Sequence, residues 1–173
     1  CRIGRRCLAD CVVRRSGKII GRYRALNDVI IDRGASARIV TLAMRIKNEA
    51  VSSFMCDGLI ISTPTGSTGH CLSAGGPILH PDTDMFVVSP ICPHTLSTRP
   101  LVIPNDRTIT VEVEKSSGDL RLAVDGQVGE PLRPRDLVAV RRSRATAHFV
   151  HLPDYSYFRV LRQKLHWRGS TLV

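Results

Sequence analysis

A chain of 173 residues with 43% hydrophobic and 23% charged side chains has the balance of an ordinary globular protein and suits one compact domain; no apolar run approaches the ~18 residues that a membrane-spanning helix needs. The net charge of +10, mostly arginine, favours anionic partners through long-range attraction, so phosphates, nucleotides and nucleic acid all qualify. Aromatic residues total only 5% and do not interleave with the basic ones, which argues against a single-strand nucleic-acid binder.

Residues 1–10 alternate basic, small and apolar side chains without a continuous apolar stretch. No secretory signal is read there, and a cytoplasmic protein is expected. The chain opens on Cys1 in strand-like sequence, so further residues are expected ahead of it. Period-two alternation predicts strands over 6–14, 18–24, 27–32 and 38–46, with turns at Ser16-Gly17 and Arg33-Gly34. Cys7 and Cys11 fall on one face of the first strand, as core residues do. With no CxxC pair and no secretory context, Cys1, Cys7, Cys11, Cys56, Cys71 and Cys92 read as free thiols rather than as disulfides or zinc ligands. The arginines at 2, 5, 6, 14, 15, 22 and 24, and again at 133, 135, 141, 142 and 144, read as solvated strand faces and edges.

Residues 57–77, DGLIISTPTGSTGHCLSAGGP, run from an acidic turn through an apolar strand into a loop dense in glycine and hydroxyls. One short helix is predicted over 67–74. Glycines let a ligand approach the backbone, and hydroxyls and free N–H groups hydrogen-bond it, so the stretch fits a nucleotide cradle. On composition alone an ordinary surface loop, too polar for the core, is the favoured reading. A Walker A loop is excluded because no lysine follows the glycines, and a GxSxG nucleophile elbow because Gly66-Ser67-Thr68-Gly69 has the wrong spacing. Asp82 and Asp84, beside Pro81, read as a turn rather than a metal site. Strands are predicted again over 108–114 and 119–125 around a Ser117-Gly118 turn. Tyr157, Val160, Leu161 and Leu165, at helical spacing, predict a terminal helix within 154–167 that docks on the sheets. The expected fold is mainly β: a two-sheet, sandwich-like single domain over 1–173, with a short helix after the Thr-Pro-Thr-Gly-Ser-Thr loop and a C-terminal helix.

The blocks ALND at 25–28, DGLIISTPTGSTGHCLSAGGPI at 57–78, SPICPHTLSTRPLVIP at 89–104, VDGQ at 124–127 and the closing DYSYFRVLRQKLHW together resemble the NAD kinase family, in the family's order and along nearly the whole chain. The resemblance implies phosphorylation of the 2′-hydroxyl of the adenosine ribose of NAD to give NADP. ATP or polyphosphate would be the donor, with a divalent metal, Mg2+, and this chain would supply the dinucleotide site. It implies that Asn27 and Asp28 contact the adenosine half, that Arg38 is a basic substrate contact and that Asp57 faces the nicotinamide end. Thr65, Thr68, Gly69, His70, Cys71, Leu72 and Ser73 would wrap the dinucleotide; Ser89 and Ile91 would line the pocket, and Asp125 and Gln127 would form its DGQ-type turn. Read without the resemblance, Asn27-Asp28 is a strand-entry turn, Asp57-Gly58 a hairpin turn and Arg38 a solvated strand arginine.

The chain departs from the family at Gly69-His70, where Ala-Tyr is usual, and at Met55, where a basic residue is common. His94 belongs to the family's Pro-His motif and reads as a packing residue. The family's Gly-Gly-Asp-Gly motif, whose aspartate is expected to activate the ribose hydroxyl, is absent from this sequence. The resemblance therefore implies a catalytic base in a separate N-terminal domain, and assembly as a homodimer or homotetramer. The competing class is a noncatalytic basic β domain that binds nucleic acid or another polyanion.

Overall fold

The structure is a computed structural model that describes residues 2–34, 39–116 and 118–167. Alternation of buried and exposed side chains carries the chain through β1 (Arg2–Arg15), β2 (Lys18–Ala25), β3 (Asp28–Asp32), β4 (Val40–Ile46), β5 (Glu49–Cys56) and β6 (Gly58–Ser62). A single 3-10 turn (Gly66–Thr68) and the one-turn helix α1 (His70–Ser73) follow. The chain then forms β7 (Met85–Ile91), β8 (Leu101–Pro104), β9 (Ile109–Lys115), β10 (Leu120–Val124), β11 (Gln127–Leu132), β12 (Leu137–His151) and α2 (Tyr157–Lys164). The first sheet runs β2-β1-β12-β9-β4-β5 and the second β11-β10-β3-β6-β7-β8. The mainly β, two-sheet expectation and both helices are borne out.

The described residues form two compact units, one within Arg6–Ala147 and one drawn from residues 2–5 and 148–167. In the larger unit the inner faces of both sheets share one core. Cys11, Val13, Leu42, Met44, Val111 and Val138 of the first sheet join Ile31, Leu59, Ile61, Phe86, Val88 and Leu122 of the second. Each fully buried side chain of this size contributes roughly 1.5–3 kcal/mol. Strands β4 and β9 keep their other face wet, so their burial alternates. Strands β3, β6 and β7 do not alternate, because the segment after β6 folds back over their outer face. Ile30, Ile60, Val87 and Ala123 pack there against Cys71 in a second, smaller core.

That covering segment corrects one expectation. The loop after β6 was expected to be too polar for the core, yet Ser62, Thr63 and Ser67 are completely buried. Burial is possible because the hydroxyls are paired to backbone: Ser67 Oγ donates to Pro64 O at 2.7 Å and accepts from Leu79 N at 3.0 Å. Asp57-Gly58 is not a hairpin turn either, since it carries the chain from β5 in one sheet to β6 in the other. In the smaller unit Ser156 caps α2 by accepting from Arg159 N, and the rings of His151 and Tyr155 stack at 3.9 Å.

Candidate functional site

The register of the second sheet brings three chain segments together at one end of its strands. Asp28 pairs with Ser62 and Val29 with Val124, so the head of β3 lies beside the end of β6 and the end of β10. Asp125 and Gly126 then make a two-residue hairpin with φ of 50° and 77°, the left-handed pair that a type I′ turn requires. The turn aims the Asp125 carboxylate at the chain entering β3. Its oxygens accept from Leu26 N at 2.7 Å, Asn27 N at 2.7 Å and Asp28 N at 3.1 Å, and Asp125 N donates to Asp28 O at 3.0 Å. From the other side, Thr63 Oγ1 donates to Leu26 O at 2.5 Å and Thr63 N to Asn27 O at 2.8 Å.

Asp28 itself is buried, 5% exposed, at the top of the sheet. Burial, with the neighbouring Asp125 charge in second place, pushes its carboxyl above the ordinary value, and His70 opposes the shift. Beneath lies Cys71, whose thiol burial raises to about 11. Thr65 precedes the 3-10 turn; its Oγ1 is buried with no hydrogen-bond partner among the described residues. A buried acceptor-rich carboxylate and a free buried hydroxyl in one place are groups that a polar ligand can satisfy.

The other expected residues spread outward from this point. Gly69 and His70 are exposed at the start of α1, with Leu72 and Ser73 following, and Thr68 is half-buried in the 3-10 turn. Ser89 sits in mid-sheet opposite Ile60, fully buried, and donates to Ala74 O at 3.2 Å. Asp57 and Ile91 lie at the far end of β6 from Asp28, where Asp57 N donates to Ile91 O at 2.9 Å. The Asp57 carboxylate is held by Arg33 Nη2 at 2.9 Å. Gln127 begins β11 and, with Tyr23, Arg24, Val124, Asp125 and Gly129, lines a concavity of about 290 Å³ beside the turn. Arg38 lies outside the described residues. Met55 is exposed on β5, its carbonyl accepting from His94 N at 2.9 Å.

Sequence reasoning passed over Ser62, Thr63, Ser67, Arg33 and Tyr23. Thr63 and Ser67 carried a signal, since hydroxyls on both sides of a proline in a glycine loop suit backbone pairing. Tyr23 carried none: its hydroxyl donates to Glu130 at 3.0 Å, and burial first and Glu130 second raise it to about 12. Among the described residues no three His, Cys, Asp or Glu side chains converge as a metal site, and Asp82 and Asp84 instead pair with Arg6 and Arg142. The described cysteines are free.

Comparison with known proteins places these features in a family. The model of the ATP-NAD kinase C-terminal domain matches residues 26–152. The chain is 43% identical over 166 residues to an NAD kinase of Geobacter metallireducens, covering 96% of this chain and 59% of that protein. To an NAD kinase of Magnetococcus marinus it is 42% identical over 160 residues, covering 92% and 52%. Among solved structures, yeast NADH kinase complexed with NADH superposes with a TM-score of 0.90 at 30% identity, covering 97% of this chain and 50% of that one. An NAD kinase from Archaeoglobus fulgidus in complex with ATP gives 0.76 at 28% identity, covering 95% and 60%. The chain thus spans between half and three-fifths of the length of these curated relatives.

Proposed function

Because the chain belongs to the ATP-NAD kinase family, matching its C-terminal domain, we propose that it supplies the dinucleotide site of an enzyme that phosphorylates the adenosine-ribose 2′-hydroxyl of NAD to give NADP. The donor is ATP or polyphosphate. The observation that carries this reading is Asp28, a buried carboxylate fixed at the head of the central strand β3 beside the loop that holds Thr65 and His70. A carboxylate is an acceptor without a donor of its own, and ribose hydroxyls are the matching donors.

In this reading Asn27 and Asp28 hold the adenosine half, and Thr65, Thr68 and Gly69–Ser73 wrap the dinucleotide. Ser89 lines the middle, and Asp57 with Ile91 holds the nicotinamide half. Strand β6, with five residues, separates the two ends by on the order of 13–17 Å, so one ligand must be long and have two polar ends. Gln127 and Arg38 complete the contacts.

Phosphoryl transfer rests on positioning and on neutralising charge around the moving group. This chain's part is to hold the acceptor hydroxyl still. A divalent cation, Mg2+, would travel with the donor phosphates, whose charge it neutralises; the described residues include no cluster of side chains to cage it. The group that orients the hydroxyl is assigned to a separate domain bearing the Gly-Gly-Asp-Gly motif, so the chain by itself binds dinucleotide without turnover. Cytoplasmic placement and assembly as a homodimer or homotetramer belong to the same proposal and rest on the family resemblance; among the described residues no helix is long and apolar enough to cross a membrane.

Calorimetric titration with NAD, NADP and AMP at two salt concentrations tests the reading. Saturable binding that prefers NAD over AMP at both salts, and weakens in Asn27→Ala and Asp57→Ala, is the expected result. Binding that collapses with salt and ignores the nicotinamide half would instead identify a polyanion-binding domain and overturn it.

A further inference from the structure

We infer that Thr63 and Asp125 are positioning residues, which fix the backbone of Leu26–Asp28 and through it aim the side chains of Asn27 and Asp28 at the dinucleotide; the inference rests on the function proposed above. It gives Asp125 a task different from the direct ligand contact that the family resemblance implied.

Each N–H and each C=O of Leu26 and Asn27, with both backbone groups of Asp28, is accounted for. Asp125 takes the amides of all three residues and donates its own N–H to Asp28 O. Thr63 holds Leu26 O and Asn27 O, and Ser62 Oγ adds a longer bond to Asn27 O at 3.4 Å. The segment is gripped from both sides by residues distant in sequence. Gly66 closes the grip, because a Cβ there would stand 2.5 Å from the carbonyl carbon of Asn27.

The choice of aspartate at 125 is informative. A type I′ turn is made equally well by asparagine or glycine in this place. An aspartate adds a second negative charge beside the buried Asp28, which costs stability and raises the Asp28 carboxyl. What only the carboxylate gives is two acceptor oxygens for three amides, in charge-assisted bonds. Thr63 is likewise specific: its Oγ1 donates to Leu26 O while accepting from Gly66 N at 3.3 Å, so it ties the loop to the segment.

The test is a set of NAD and ATP titrations on the full-length protein, with thermal melts alongside. Asp125→Ala and Thr63→Val should each weaken NAD binding about tenfold and leave ATP affinity within about twofold of wild type. Asp125→Asn, which keeps the turn and one acceptor, should fall between. Thr63→Ser should recover most of what Thr63→Val loses. In a mutant cycle, adding Asp125→Ala to the Asn27→Ala/Asp28→Ala protein should weaken NAD binding no further, because Asp125 acts through those two side chains. Multiplying effects would mean that Asp125 touches the ligand itself, and unchanged NAD affinity in both Asp125 variants would mean that it positions nothing; either overturns the inference. Equal loss of NAD and ATP binding with a lowered Tm also overturns it in favour of a purely structural role. If the wild-type protein shows no saturable NAD binding, the proposed function fails before the inference is reached.

Discussion

Arg33 and Asp57 are joined twice: Arg33 Nη2 lies 2.9 Å from Asp57 Oδ2, and Arg33 N donates to Asp57 O at 3.2 Å. The pair pins the corner where the chain crosses from β5 into β6, at the end of the sheet opposite Asp28. Both side chains keep some solvent contact, so the ion pair contributes about 1 kcal/mol or less. Arg33→Met and Asp57→Ala should each lower the urea unfolding free energy by about that amount, with the double variant costing less than the sum. NAD affinity should fall more in Asp57→Ala than in Arg33→Met, since only the first removes the group proposed to face the ligand. Equal affinities in the two variants would remove Asp57 from the site.

How much of this could be read beforehand follows from burial. Leu42 and Met44, or Val111 and Val113, announce their strands because one face is dry and the other wet. Strand β7 is buried on both faces and shows a bare apolar run, and β5 is an edge strand exposed along most of its length, so neither alternates. The glycine and hydroxyl chemistry of the loop was legible, as was the Asp-Gly turn at 125–126. What those residues grip was not, because Asp125 and Leu26 meet across 99 positions of sequence. Local pattern holds no trace of such a contact. The burial of Thr63 was hidden for the same reason: its hydroxyl is satisfied by Leu26, far away in the chain.

Asp28 should cost the fold stability at neutral pH. Its carboxyl is raised above the usual 3.8 by burial and by Asp125, so between that value and the raised one the folded protein holds a proton that the unfolded chain has released. Below 3.8 both states are protonated and the cost vanishes. As pH rises from 3.8 through the raised folded value, stability falls, and above that value the loss is constant. Asp28→Asn removes the titration. Thermal melts between pH 4 and 8 should show Asp28→Asn more stable than wild type at pH 7, with the gap closing as pH falls towards 4. The same variant should bind NAD at least tenfold more weakly, the ordinary conflict between a site and the fold that carries it. A constant gap across the pH range would show that Asp28 is not the group responsible.

The cysteines should differ sharply in reactivity. Cys92 is exposed. Burial raises Cys11 to about 12, and Cys56 and Cys71 to about 11, so almost none of the thiolate form exists at pH 7.5 and none of these sulfurs is open to a reagent. Iodoacetamide labelling of the native protein, read by peptide mass spectrometry, should modify Cys92 first and leave Cys11, Cys56 and Cys71 intact until denaturant is added. Early labelling of Cys71 would mean that the loop over the second core opens readily.

Two glycines three residues apart in the loop should respond oppositely to alanine. At Gly66 an added methyl would stand 2.5 Å from the carbonyl carbon of Asn27 and 2.8 Å from its Cα. Both are backbone atoms of the segment that Thr63 and Asp125 hold from two sides, so neither can yield by a side-chain rotation. Gly66→Ala should therefore cost about 3 kcal/mol or more, and whatever survives should bind NAD poorly because the loop is pushed off Asn27. At Gly69 the nearest atom to an added Cβ is Gly66 O at 3.3 Å, so a shift of a few tenths of an ångström makes room for it. Gly69→Ala restores the residue usual in the family and should change stability by no more than about 0.5 kcal/mol. Chemical denaturation of the two variants side by side measures the difference. A Gly66→Ala protein as stable as Gly69→Ala would show that the Leu26–Asp28 segment can move, and with it the rigidity on which Asp28's role depends would be lost.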